Sequence, residues 1–164
     1  MTDGSRVLVA VRVPTTPARA FTAFTDEIGQ WWRPHQLFQF TPGRTDGTLA
    51  FEPGPDGRLV ATYPDGDAFV VGDVQVWEPP HRLVLSWRQA GLAPDQETEL
   101  HVRFDAVEPS AGDTAATRVV VEHYGWDRIP PEHAVRHGLP LALIQRRLAE
   151  WWQSLLAGLA SVAG

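Results

Sequence analysis

The chain has 164 residues, 43% of them apolar and 21% charged, with a formal net charge of -6 and a sequence pI near 5.4; with this composition disorder is not expected, and one soluble domain with its own core is. The acidic balance argues against a nucleic-acid or anionic-membrane surface, because phosphate binding needs clustered Lys and Arg. No cysteine is present, which rules out disulfides, thiol catalysis and cysteine-ligated metal.

The first residues, MTDGSRVLVAVRV, hold a short apolar run without a basic lead-in or a small-residue cleavage site, so they are expected to form a strand and not a signal peptide. A cytoplasmic protein is the corresponding expectation. Val7, Val9, Val11 and Val13 alternate with Leu8, Ala10 and Arg12, and the strand stops at Pro14. Thr15 or Thr16 is placed to cap a helix entered through Pro17, whose buried side would be Ala20, Phe21, Ala23, Phe24 and Ile28. Gly29 is expected to end it, just before the Trp31-Trp32 pair. Leu37 to Phe40 is expected to form a short strand or extended segment, followed by a loop rich in Pro, Gly and Asp from Pro42 to Gly47.

A meander follows. Strands are expected at Thr48 to Glu52, Arg58 to Tyr63, Ala68 to Trp77, Arg82 to Arg88, Glu97 to Val107 and Thr117 to Gly125. The turns between them carry Pro and Asp-Gly pairs, whose dihedral preferences suit tight reversals. Short connections imply antiparallel pairing, and none of the 14 prolines falls inside a proposed strand.

The last segment, Leu139 to Val162, is helical by its spacing. Leu141, Ile144, Leu148, Trp151, Trp152, Leu155, Leu159 and Val162 recur at three- and four-residue steps and form one apolar stripe. Pro140 suits its first turn. A helix of that length is about 35 Å long, and Arg146, Arg147 and Glu150 make it too charged for a membrane span. The element order predicts an α+β fold: a curved antiparallel sheet of six or seven strands wrapped on one long helix, with a cavity between them.

The run Gly72-Asp73-Val74, then Trp77-Glu78-Pro79-Pro80-His81-Arg82-Leu83-Val84-Leu85-Ser86-Trp87, resembles the central hairpin of the Hsp90-ATPase-activator-like family, within the START, Bet v 1 and polyketide-cyclase superfamily. The Trp31-Trp32 pair, Thr117-Arg118-Val119-Val120-Val121-Glu122-His123 and the Trp151-containing helix continue the resemblance over nearly the whole chain. It implies a helix-grip fold with a hydrophobic cavity under the terminal helix. It does not imply one activity, because carriers, receptors, cyclases and co-chaperone domains share the fold. One departure is Pro42-Gly43-Arg44-Thr45-Asp46-Gly47, where the family shows Arg-Pro-Gly-Gly, so the cavity entrance is expected to differ.

Alternation places Thr98, Leu100, Val102 and Phe104 on one face of their strand and Val119, Val121 and His123 on one face of the last. His123 then ends an apolar row, either as a core histidine satisfied by a hydroxyl or carbonyl, or as the group that orients a ligand. Tyr63 is a second polar candidate. Trp32, Trp87 and Trp151 with Phe51, Phe69 and Phe104 are the aromatic candidates for lining a pocket, and Ile144, Leu148 and Leu155 would close it from the helix. His133 and His137 are four apart but lack a third ligand, so no metal is expected. With no GxSxG elbow, P-loop or dinucleotide motif, no cofactor and no catalytic residue is assigned. The expected partner is a small hydrophobic or aromatic molecule, with a homodimer left open. A cyclase- or hydratase-like enzyme in the same cavity and a chaperone-activator-like interaction module are the alternatives.

Overall fold

Period-two patterning accounts for most of the architecture. In the computed structural model, residues 6–33, 35, 38, 40, 44, 46–52, 54–88, 97–129, 136 and 138–164 are described. Seven strands form one antiparallel sheet: β1 (Arg6–Val13), β2 (Thr48–Phe51), β3 (Arg58–Thr62), β4 (Ala68–Glu78), β5 (Arg82–Trp87), β6 (Thr98–Val107) and β7 (Ala116–Tyr124). Their order is β1-β7-β6-β5-β4-β3-β2, so the meander is interrupted only by β1, which crosses to pair with β7. Helices α1 (Pro17–Thr25) and α2 (Ile28–Trp31) connect the two edges, and α3 (Leu141–Ala163) closes the concave face. The expected helix-grip arrangement is therefore the one observed.

Register carries the buried face across strands. Val7 faces His123 on β7, which faces Leu100 on β6, and Val9, Val121 and Val102 repeat the alignment one step along. All six are buried. The opposite parity puts Arg6, Glu122, Tyr124, His101 and Arg103 on the convex side. There Glu122 receives Arg6, Arg103 (2.8 Å) and the Tyr124 hydroxyl (2.6 Å).

The first helix begins as the sequence predicts. Thr16 is the N-cap, its hydroxyl accepts from the Arg19 amide, and Pro17 opens the first turn. Its end differs. Gly29 does not terminate it; α1 stops at Thr25, and Gly29 lies inside the short α2. The carbonyl of Leu49 would stand 3.3 Å from any β-carbon there, so the glycine serves the approach of β2 rather than a helix stop. Phe38 and Phe40 lie in bends and not in a strand, and Leu37 is outside the described residues.

Along α3, Ile144, Leu148, Trp151, Trp152, Leu155, Leu156, Leu159 and Ala163 are buried, while Leu141 and Val162 at the two ends are only partly covered. Arg146, Arg147 and Glu150 face outward. Among the described residues, no helix is long and apolar enough to cross a membrane.

Candidate functional site

His123 sits at the end of the inward row of β7 and is 0% exposed. Its ring lies between β6, β7 and α3: Nε2 is 2.8 Å from Thr98 Oγ1, the Trp152 indole N–H meets Nδ1 at 3.3 Å, and the Trp126 indole nitrogen is 3.3 Å from Nε2. Burial pushes its pKa down to about 3, so the ring is neutral at physiological pH. A neutral imidazole has one donor and one acceptor. Both indoles offer N–H donors, and the neutral ring can accept only one of them. Because the Thr98 contact is the shortest, we assign the proton to Nε2, which donates to Thr98, whose hydroxyl donates in turn to the Trp87 carbonyl (2.7 Å), while Nδ1 accepts from Trp152 and the Trp126 N–H has no acceptor at Nε2. That arrangement satisfies the histidine from inside the fold.

Around it the grip is filled by rings. Trp87, at the end of β5, lies 5.9 Å from the His123 ring, 5.7 Å from Trp152 and 5.5 Å from Trp32. Trp32, just after α2, is stacked on Phe40 (5.7 Å, 24°) and meets Trp151 edge-on at 5.0 Å. Phe38 lies nearly parallel to Trp151 (5.0 Å, 13°) and presents its edge to Trp126. Phe40 passes the wall on to Phe69 (6.4 Å, 19°), which is only half-buried. The result is a continuous aromatic wall from the buried His123 to the surface, in offset and edge-on geometries that aromatic quadrupoles favour.

The predicted site residues divide along this wall. Trp32, Phe69, Trp87, His123 and Trp151 are brought together on it. Trp32 and Trp151 keep 8% and 5% of their surface open, whereas Ile144, Leu148 and Leu155 leave almost none and serve the core. Phe104 packs against Phe21 and Phe24 of α1 and is linked to the wall through Phe24 and Trp31. Tyr63 is covered by the Arg44 guanidinium, 4.2 Å above its ring. Arg44 is held by Asp46 and Asp65, so Tyr63 anchors a loop. Phe51 packs beside the core; among the described residues, neither it nor Tyr63 makes a ring contact with the wall.

Sequence reasoning missed five participants, of which Trp152 is expected on the helix stripe but not in the site. Phe38 and Phe40 lie in irregular backbone, where no periodicity marks a face. Trp126 follows β7 in a short 3-10 turn (Trp126–Arg128). His35, half-buried, lies 5.7 Å from Trp151 and 5.1 Å from Phe38; desolvation, with the charge of Arg147, lowers its pKa and favours the neutral ring. Among the described residues, no cluster of three or more His, Asp or Glu side chains is arranged for a metal ion. His133 and His137 lie outside them.

The model of the Activator of Hsp90 ATPase homolog 1-like protein family matches residues 14–164. The chain belongs to that family. No curated protein sequence matches it. An HSP90 activator from Plasmodium falciparum superposes with a TM-score of 0.62 at 16% identity, covering 96% of this chain and 95% of that one. The solution structure of the Aha1 dimer from Colwellia psychrerythraea gives 0.61 at 14% identity, covering 96% and 95%. These two establish the fold alone. A higher identity, 30%, comes with an anthrahydroquino-gamma-pyrone synthase solved as a complex, at a TM-score of 0.50 over 88% of this chain and 86% of that one.

Proposed function

We propose that the protein binds a small, flat aromatic molecule against the wall formed by Trp32, Phe38, Phe40, Phe69 and Trp151. The observation that carries this reading is the stack of Phe38 on Trp151, which has the separation and tilt of a planar ring held in a slot. Phe38 stands in irregular backbone, so its ring is the one a planar guest would displace at least cost to the sheet. Burial of apolar ring surface would supply the affinity, roughly 25 cal/mol per Å² before the costs of association. His123 is then a fixed part of the floor and helps hold Trp152 and Trp87 in place. We place the protein in the cytoplasm, and a homodimer, the state described for the Colwellia protein, is the assembly to look for by size-exclusion chromatography.

The test is a tryptophan-fluorescence titration with alizarin, a flat hydroxylated anthraquinone. Saturable quenching that is weakened at least several-fold in Trp151→Ala supports the reading. Quenching that does not saturate, together with native mass spectra of an empty protein purified from its own host, sinks it.

The identity with a pyrone synthase favours a second reading, a ring-closing enzyme that uses the same wall to fold a polyketide-like chain. His35, partly exposed beside Trp151 and held in its neutral form, is the side chain we would assign to proton transfer. A His35→Gln variant that still binds alizarin but no longer converts an open-chain precursor would separate catalysis from binding.

A further inference from the structure

Among the described residues, two ionised side chains are buried, and they are treated in opposite ways. Glu122, 7% exposed, is surrounded by Arg6, Arg103 and the Tyr124 hydroxyl. Arg136 is 3% exposed. Its Nη1 donates to the Ile129 carbonyl (2.7 Å) and its Nη2 to the Leu139 carbonyl (2.8 Å), while its Nε is buried with no hydrogen-bond partner. Among the described residues, no carboxylate pairs with it. A guanidinium stays charged in a protein and offers five N–H donors, of which the two carbonyls take two. Carbonyl dipoles only partly offset the desolvation of a full positive charge, and buried charges are ordinarily paired.

Its surroundings add to the imbalance. Leu139 immediately precedes the N-terminus of α3, a helix of 23 residues whose N-cap is Pro140. Proline supplies no capping side chain, and the first turn of α3 carries no acidic residue. The positive end of the helix dipole therefore lies beside the guanidinium, where an acidic side chain would ordinarily be found. On the other side, Ile129 leaves the 3-10 turn of Trp126, whose ring touches Phe38 at the end of the aromatic wall.

We propose that Arg136, together with the N-terminus of α3, is an anion site, and that it receives the carboxylate of a flat aromatic acid whose rings lie on the wall. This rests on the ligand-binding reading above and adds the charge of the ligand to it. The free Nε–H and a neighbouring Nη–H form the side-on fork that matches the two oxygens of a carboxylate. The anion would neutralise the guanidinium and cap the helix together.

The experiment compares naphthoate with naphthamide, two probes of one ring system that differ in charge, by isothermal titration calorimetry at pH 7 and low salt. The wild-type protein is expected to bind naphthoate about ten-fold more tightly or better, as a hydrogen-bonded charge pair requires. Arg136→Met should abolish that difference, and Arg136→Lys should keep part of it. Equal affinities in the wild type would overturn the anion site and leave the aromatic site standing. A preference that survives in Arg136→Met would also overturn it. If neither probe binds, the ligand-binding reading falls and this proposal with it. Equal affinities in the wild type overturn the site even if Arg136→Met does not fold, and Arg136→Lys then carries the comparison.

Discussion

The indole N–H of Trp152 donates to Nδ1 of His123 across 3.3 Å, tying the helix that closes the grip to the last strand of the sheet it closes on. The bond exists only while the imidazole is neutral, since a protonated ring has two donors and no acceptor. The geometry and the low pKa of His123 therefore describe one constraint.

That constraint makes stability acid-sensitive in a definable window. The folded pKa of about 3 lies below the ordinary 6.5. Above pH 6.5 the ring is neutral in both states and its contribution is complete. As pH falls below 6.5 the unfolded chain takes up a proton that the folded protein refuses, and stability declines by about 1.4 kcal/mol per pH unit. Urea denaturation should show a loss of about 2 kcal/mol between pH 7 and pH 5 from this group. His35, also held low, contributes in the same direction, so the quantity to measure is the difference in slope between the wild type and His123→Leu. Parallel slopes would mean that His123 is not buried as described.

Glu122 gives a second, separable acid effect. Burial by itself would raise its pKa, but the Tyr124 hydroxyl, Arg6 and Arg103 hold it below the usual carboxylate value. Its contribution is present above the unfolded pKa and is lost as pH falls through the folded one, a loss that begins only after that of His123 is well under way. At pH 7, Glu122→Gln should cost about 3 kcal/mol, because Arg6 and Arg103 then lose the charge between them. Equilibrium denaturation with an unchanged m-value is the check.

Gly72 should tolerate no side chain. A β-carbon there would lie 1.6 Å from the Ser86 carbonyl oxygen, a backbone atom in the facing strand. Next to it, the Asp73 amide donates to Ser86 Oγ (2.9 Å), so β4 and β5 are locked at this point. Gly72→Ala is expected to destabilise by on the order of 3 kcal/mol or more. Circular dichroism melting of the variant beside Gly66→Ala, where nothing lies within 4 Å but φ is positive, would distinguish collision from backbone strain.

Phe38→Ala should separate stability from binding. Removing the ring costs about 3 kcal/mol of stability, yet it opens a slot beside Trp151 lined by apolar rings, the kind of space that takes up flat apolar guests. Alizarin is expected to bind the variant several-fold more tightly than the wild type. Equal or weaker binding would mean that Phe38 supports the site and does not occupy it.

The sequence made the architecture largely legible because strands that bury one face must alternate and a helix that buries one stripe must repeat. Val119, Val121 and His123 point inward for that reason, and Thr16 and Pro17 start α1 by local chemistry alone. The assembly of the wall was not legible. Alternation tells which face Trp87 is on but not that Phe40, in a bend, will lie across it. Gly29 misled because its value is tertiary: it admits the Leu49 carbonyl, a contact no local pattern reveals. Arg136 gave no signal either, since a lone arginine shortly before a helix is ordinarily solvated. Its significance comes from the burial of its Nε without a partner.

The crossing of β1 has a consequence for how the protein is made. Val9 pairs with Val121 and Val13 with Thr117, so β1 is made before the other strands of this sheet and has no partner until β7 has emerged. Until then Val7, Val9, Val11 and Val13 form an apolar edge open to the wrong neighbour. The newborn chain therefore has to be shielded at β1, and a circular permutant that begins at β2 and ends on β1 should need that protection least.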